Sequence, residues 1–186
     1  YYYFPSKNAL LEAMVEDVTV VGARMLAEIR DDRDLEPEER LRRAVEGLVL
    51  WGLDRPTRFK VIDRSEELLP PDISEVHEKA KRQVLHAMIA LIADGIEAGI
   101  LRPVDPRLAA FSLIGMCNWT AWWWTPKSRQ TKEEVASFVG EMALSALRRV
   151  GPNRPSGNRV EDAIDLLRSD LDFLELVAAG KPSRKA

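Results

Sequence analysis

The run YYYFPSKNALLEAMVE, residues 1–16, sets three tyrosines and a phenylalanine against Pro5 and then changes character. Beyond Pro5, Ser6 offers an N-cap. From Ala9 to Ile29 the apolar residues Leu10, Met14, Val18, Val21, Met25 and Ile29 recur at steps of three and four, the period of an amphipathic helix.

Helical signals continue along the chain. DDRDLEP (31–37) closes the first helix, and Pro37 suits the first turn of a second. That helix carries Leu41, Ala44, Val45 and Leu48 on one face. Its second half, VEGLVLWGL (45–53), is apolar nearly all round, which implies burial on every side. Pro56 opens a short third helix, PTRFKVIDRSEELL (56–69). PPDISE (70–75) stops it, and Asp72 with Glu75 has the spacing of a capping box for the next. This fourth helix runs through Ile73, Val76, Ala80, Val84, Met88, Leu91 and Ile96 to Gly99. Asp105 and Pro106 supply the cap and first position of a fifth, Leu108 to Trp124. After TPKSRQ (125–130), Thr131 and Glu134 form a capping box for a sixth. No run alternates as a strand with hairpin turns, and the connections are short. The fold class is therefore all-α, a bundle of six helices within about the first 150 residues.

The segment 151–159 has the composition of a linker. In 160–186, Val160, Ile164, Leu167, Leu171, Leu174 and Ala178 make a narrow apolar seam flanked by acids. This appended amphipathic helix lies either on its own domain or on a partner subunit.

Net charge is −3, which does not suit a generally basic nucleic-acid binder. The single cysteine, Cys117, excludes an intrachain disulfide framework and suits a reducing cytoplasm. No apolar run approaches the roughly 20 residues a membrane span needs, and residues 1–16 are not a signal peptide.

With the helices in place, residues 1–16 resemble a junction found in the tetracycline-repressor (TetR) family of bacterial transcription regulators. There an aromatic run ends the recognition helix of a helix-turn-helix, F-P-S-K follows, and a long helix leads into an effector-binding domain. The resemblance implies that 1–5 is the remnant of a DNA-binding unit lying ahead of Tyr1. It makes 6–150 the effector-binding and dimerisation domain. It also implies that Tyr2, Tyr3 and Lys7 touch operator phosphates, a role that hydroxyls, an ammonium and a helix N-terminus suit. A second stretch, GMCNWTAWWWTPKSRQTKEEVASFVGEMAL (115–144), is similar to a subgroup that includes regulators of steroid and fatty-acid catabolism. Some of these respond to acyl-CoA thioesters. Trp122 stands where that pattern often has a basic residue.

The resemblance further implies a homodimer, joined through the helices Leu108–Trp124 and Thr131–Val150. Phe138, Val139, Met142 and Ala146 are the expected interface residues. A hydrophobic effector, with acyl-CoA and steroid-derived thioesters as candidates, would release operator DNA. Its expected pocket comprises Met14, Val18, Trp51, Phe59, Met88, Met116, Asn118, Trp119 and Trp123. Independently of family, four tryptophans within six residues cannot all face one core, so the fifth helix is contacted on more than one side. Asn118 is expected to be a buried amide with a hydrogen-bond partner. Arg55, Arg58, Lys60 and Arg64, with Lys81 and Arg82, form either a solvated face or a site for an effector's phosphates.

Catalysis has little to stand on. His77 and His86 are too far apart to share a metal, and no H-E-x-x-H, G-x-S-x-G, phosphate loop or G-x-G-x-x-G occurs. Cys117 reads as a small buried hydrophobe. Neither metal nor cofactor is expected. The rival reading is a helical protein-interaction module that takes no small molecule.

Overall fold

The computed structural model describes residues 4–149, together with Ile164, Leu167, Arg168 and Leu171. Among these residues the fold is all-α. Helix α1 (Lys7–Val15) passes through a π-turn (Glu16–Val20) into α2 (Val21–Asp31) without a break. There follow α3 (Pro37–Asp54), α4 (Pro56–Ser65), a 3-10 turn (Glu66–Leu68), α5 (Pro71–Glu97), α6 (Pro106–Trp123) and α7 (Lys132–Leu147). No described helix is long and apolar enough to cross a membrane.

The helix starts are local chemistry. The Ser6 hydroxyl accepts the Ala9 amide at 3.1 Å. Asp105 accepts the amides of Arg107 and Leu108 at 2.8 and 3.0 Å. Thr131 and Glu134 close a reciprocal capping box, with bonds of 3.1 and 2.8 Å. Prolines occupy the first positions of α3, α4, α5 and α6, where a missing N–H costs nothing. The Asp72–Glu75 box does not form. Helix α5 begins at Pro71, so Asp72 already lies inside the first turn, where its charge favours the helix dipole. Gly99, after α5, has φ 75°, the left-handed conformation that glycine adopts without penalty. Replacing Thr131 by alanine removes the box around an otherwise exposed helix start. It should lower the unfolding free energy by about 1 kcal/mol in a denaturant titration.

Helix α3 is the central element and packs on α7, α6, α2 and α5. No residue from Val45 to Leu53 is fully exposed, in keeping with its apolar circumference. The core joins Leu41, Val45 and Val49 of α3 to Leu26, Met88, Leu91, Ile92, Leu113, Val139 and Leu144. A smaller cluster of Val15, Ile62, Leu69 and Ile73, with Leu11 and Met14 against it, sits under the first helix. Buried Arg40 ties α2 to α5 by bonding the Arg30 carbonyl at 3.0 Å and the Asp94 carboxylate at 2.8 Å. The sixteen-residue helix α7 is pinned at its end by a single antiparallel bridge between Leu101 and Arg148.

Residues 1–3, with Tyr2 and Tyr3, lie outside the described residues, as do 150–163 and most of the C-terminal segment. Of the expected seam, Ile164, Leu167 and Leu171 are helical and exposed.

Candidate functional site

Helices α2 to α6 enclose a cavity of about 350 Å³. Its walls are apolar: Val18 from the π-turn, Leu48 and Trp51 from α3, Phe59 and Ile62 from α4. Val84 and Leu85 from α5 and Phe111 and Ile114 from α6 complete them. Its inner end is polar and buried, formed by Thr19 and His77. Asp63, Lys81, Arg82 and Asn118 stand at an exposed rim. Apolar walls with a few placed polar groups are the usual make-up of a small-molecule site.

The π-turn organises this site. The Val21 amide donates to the Glu16 carbonyl, five residues back, which widens the helix by one residue. Three consecutive residues of the widened turn then reach three different elements. The Asp17 carboxylate accepts Arg55 Nε at 2.9 Å and also pairs with Arg58. The Val18 carbonyl accepts the indole N–H of Trp51 at 3.0 Å. The Thr19 hydroxyl is hydrogen-bonded to His77 Nδ1 at 2.9 Å. One turn later Gly22 lets Trp51 lie close: a Cβ there would stand 3.3 Å from the indole Nε1 and 3.4 Å from Cδ1.

Burial holds the His77 imidazole below its ordinary pKa of 6.5, against the opposing pull of Glu66. Glu66 is held below the usual carboxylate range, chiefly by its hydrogen bond from Lys81. The linkage has a definite sign. Above pH 6.5 His77 is neutral in both folded and unfolded chains. As pH falls below 6.5 the unfolded chain takes up the proton first, so stability is lost until pH passes the lower folded value. Urea titrations from pH 7.5 to 5 should show wild type losing more stability than His77→Gln. Equal slopes would place His77 outside the titrating set.

Of the residues the sequence nominated for the pocket, Val18, Trp51, Phe59 and Asn118 line the cavity. The other five do not. Met88 is fully buried in the main core: it shares the face of α5 that carries His77, Lys81 and Val84, but it stands one turn past Val84, beyond the cavity along the helix. Met116 packs on the same core, and Met14 on the smaller cluster beneath α1. Trp119 and Trp123 share a face of α6 but point outward, 64% and 50% exposed. Asn118 is exposed at the rim and is not a buried amide. Of the nominated interface residues, Phe138, Met142 and Ala146 are exposed on α7, whereas Val139 belongs to the core. Lys7 is exposed at the start of α1.

The basic cluster is neither free nor simply solvated. Arg55 lies 3.9 Å over the Trp51 ring, and Arg64 and Lys60 lie 4.8 and 5.9 Å from the Trp122 ring. Cys117 is buried and its Sγ–H points to the Val45 carbonyl at 3.8 Å. Burial pushes its thiol up to about 12, which rules out a nucleophilic role near neutral pH.

Sequence reasoning missed the buried polar end. One signal was available: His77 sits four residues after Ile73 and three before Ala80, on the apolar stripe of α5. A polar residue in that position is the informative exception in a buried face.

The chain is similar to known proteins. The family profile described as "Tetracyclin repressor-like, C-terminal domain" matches residues 34–147. The uncharacterized HTH-type transcriptional regulator YhgD of Bacillus subtilis (strain 168) is 25% identical over 120 residues, covering 61% of this chain and 59% of that protein. The chain thus spans 59% of the length of this curated relative. The structure of AibR in complex with isovaleryl coenzyme A and operator DNA is 25% identical, with a TM-score of 0.62. That match covers 76% of this chain and 77% of AibR. The ketosteroid transcriptional regulator KstR2 of Mycobacterium tuberculosis has a TM-score of 0.72 at 18% identity, over 80% and 76% of the two chains, a likeness of fold alone. On the match across residues 34–147, the chain belongs to the tetracycline-repressor-like family of transcriptional regulators.

Proposed function

We propose that the chain is the regulatory part of a repressor that binds a mostly apolar small molecule in the cavity and thereby lets go of operator DNA. The observation that carries this reading is the position of the cavity against the π-turn. The element touching the cavity through Val18 and Thr19 continues directly into α1, whose start at Lys7 follows the Phe4–Pro5 joint. A ligand that fits better with this turn in one arrangement biases the helix that would carry the DNA headpiece. Full reversal of occupancy asks for on the order of 5 kcal/mol of differential affinity. Tyr2, Tyr3 and Lys7 would then hold operator phosphates. Residues 6–150 would form the effector and dimerisation domain, and the exposed aromatic residues of α6 and α7 the subunit contact.

Acyl-CoA thioesters are the first class to test, supported by the ligand of AibR. The reading implies no catalysis, and placement in the cytoplasm follows from operator binding. The test is titration of tryptophan fluorescence and melting temperature with acyl-CoA and sterol-like compounds. A saturable change with thermal stabilisation is expected. In a chain with an intact headpiece, effector and operator should weaken each other's binding by the same factor. An operator affinity unchanged at effector saturation would sink the mechanism.

A further inference from the structure

We propose that His77 is the specificity-determining group of this cavity, its Nε2–H taking the neutral acceptor oxygen, of the carbonyl kind, carried by an otherwise apolar ligand. The inference rests on the reading of the cavity as a ligand site and adds what that ligand must present.

His77 is 5% exposed, yet its Nε2 has no hydrogen-bond partner among the described residues. Buried polar nitrogens rarely go unmatched, and an unmet donor carries its full desolvation cost. The other ring nitrogen is engaged, by the Thr19 hydroxyl at 2.9 Å.

Which nitrogen bears the proton follows from the neighbours. Glu66 Oε2 lies 3.6 Å from Nε2. Lys81 bonds the other oxygen of that carboxylate at 2.5 Å and keeps it ionised. A lone pair on Nε2 would face this negative charge, so the proton belongs on Nε2 and the Thr19 hydroxyl donates to Nδ1. The distance of 3.6 Å is too long for a hydrogen bond. An N–H donor is therefore left unmet, fully covered, in a residue that lines the polar end of the cavity, where a ligand must press in to reach it.

The charges nearby select the kind of oxygen. Asp63, Glu66 and Glu78 line the cavity, as do Lys81 and Arg82. Lys81 is already paired with Glu66 and Glu78, and Arg82 lies 3.8 Å from Glu78. A ligand carboxylate brought to Nε2 would stand against the Glu66 carboxylate, 3.6 Å from that nitrogen, whose cation, Lys81, is already shared with Glu78. A carbonyl oxygen takes the hydrogen bond without that repulsion, as a ketone or thioester does.

The test is calorimetric titration of the chain with three probes of similar length: 2-decanone, 1-decene and decanoate. Wild type should bind the ketone about tenfold more tightly than the alkene, and decanoate least well. His77→Leu should bring ketone and alkene to parity, while His77→Gln keeps part of the preference. If His77→Leu fails to fold, His77→Phe, closer to the imidazole in shape, replaces it and should bring ketone and alkene to parity likewise. A preference for ketone that survives these substitutions, or decanoate binding most tightly, overturns the assignment of His77 while leaving the cavity a ligand site. Failure of all three probes to bind folded wild type overturns the reading of the cavity itself, and this inference with it.

Discussion

Glutamate in place of both Trp119 and Phe138 is expected to leave the chain folded but monomeric, raising the dissociation constant of the proposed dimer about a thousandfold or more. Both side chains are nearly two-thirds exposed in the single chain, so neither substitution opens its core. Leu108, Trp119 and Trp123 lie eleven and four residues apart, which returns each to the same side of α6. Phe138 and Met142 do the same on the adjacent α7. Single exposed apolar residues are ordinary; apolar stripes on two neighbouring helices support the proposed subunit contact. In a two-fold dimer each substitution is present twice, so the double variant brings four like charges to one interface. Sedimentation velocity at micromolar concentration distinguishes the species. Leu68 is more exposed still, but lies on the 3-10 turn off both helices, and Leu68→Glu should leave assembly unchanged. A wild-type chain that is already monomeric would instead favour a heterologous protein partner for this face.

The parts of the fold legible in the sequence are those written in local chemistry. Ser6, Asp105 and Thr131 set helix starts through bonds that span only two or three residues, and Pro37, Pro56 and Pro106 do so through their fixed backbone angle. The π-turn was not legible, because Leu10, Met14, Val18 and Val21 keep an ordinary helical period through it. What favours the widened turn is tertiary: Arg55, Trp51 and His77 reach it from sequence distances of 33 to 58 residues. The cavity shows the same division. Trp51 stands out as a large residue in the half of α3 that is apolar nearly all round, and Phe59 as the one aromatic residue on the otherwise largely polar α4. Met88 looks no different by composition, and only the packing of α5 on α3 puts it in the core. Periodicity paired Trp119 with Trp123 correctly. It could not say which way the pair faces, since α6 carries apolar residues around most of its circumference.

Gly22→Leu should lower affinity for any cavity ligand about a hundredfold, whereas Gly22→Ala should leave binding within a few-fold of wild type. The contrast follows from the approach of Trp51 to α2. An alanine Cβ at 3.3 Å from the indole Nε1 asks for a shift of a few tenths of an ångström. The gain in helix propensity over glycine, up to about 1 kcal/mol, offsets that strain. A leucine cannot be met so cheaply, because its further carbons must occupy the volume of the indole. Trp51 then loses its bond to the Val18 carbonyl and moves toward the cavity it lines. Overpacking of this kind costs about 1–3 kcal/mol, a drop in melting temperature of roughly 2–12 °C for a chain of this size. Calorimetry with 2-decanone reads the loss of binding, and thermal melts separate it from unfolding. In a chain with an intact headpiece, Gly22→Leu should still occupy operator DNA but no longer release it when effector is added. Undiminished ligand binding by a folded Gly22→Leu variant would show that the effector enters elsewhere.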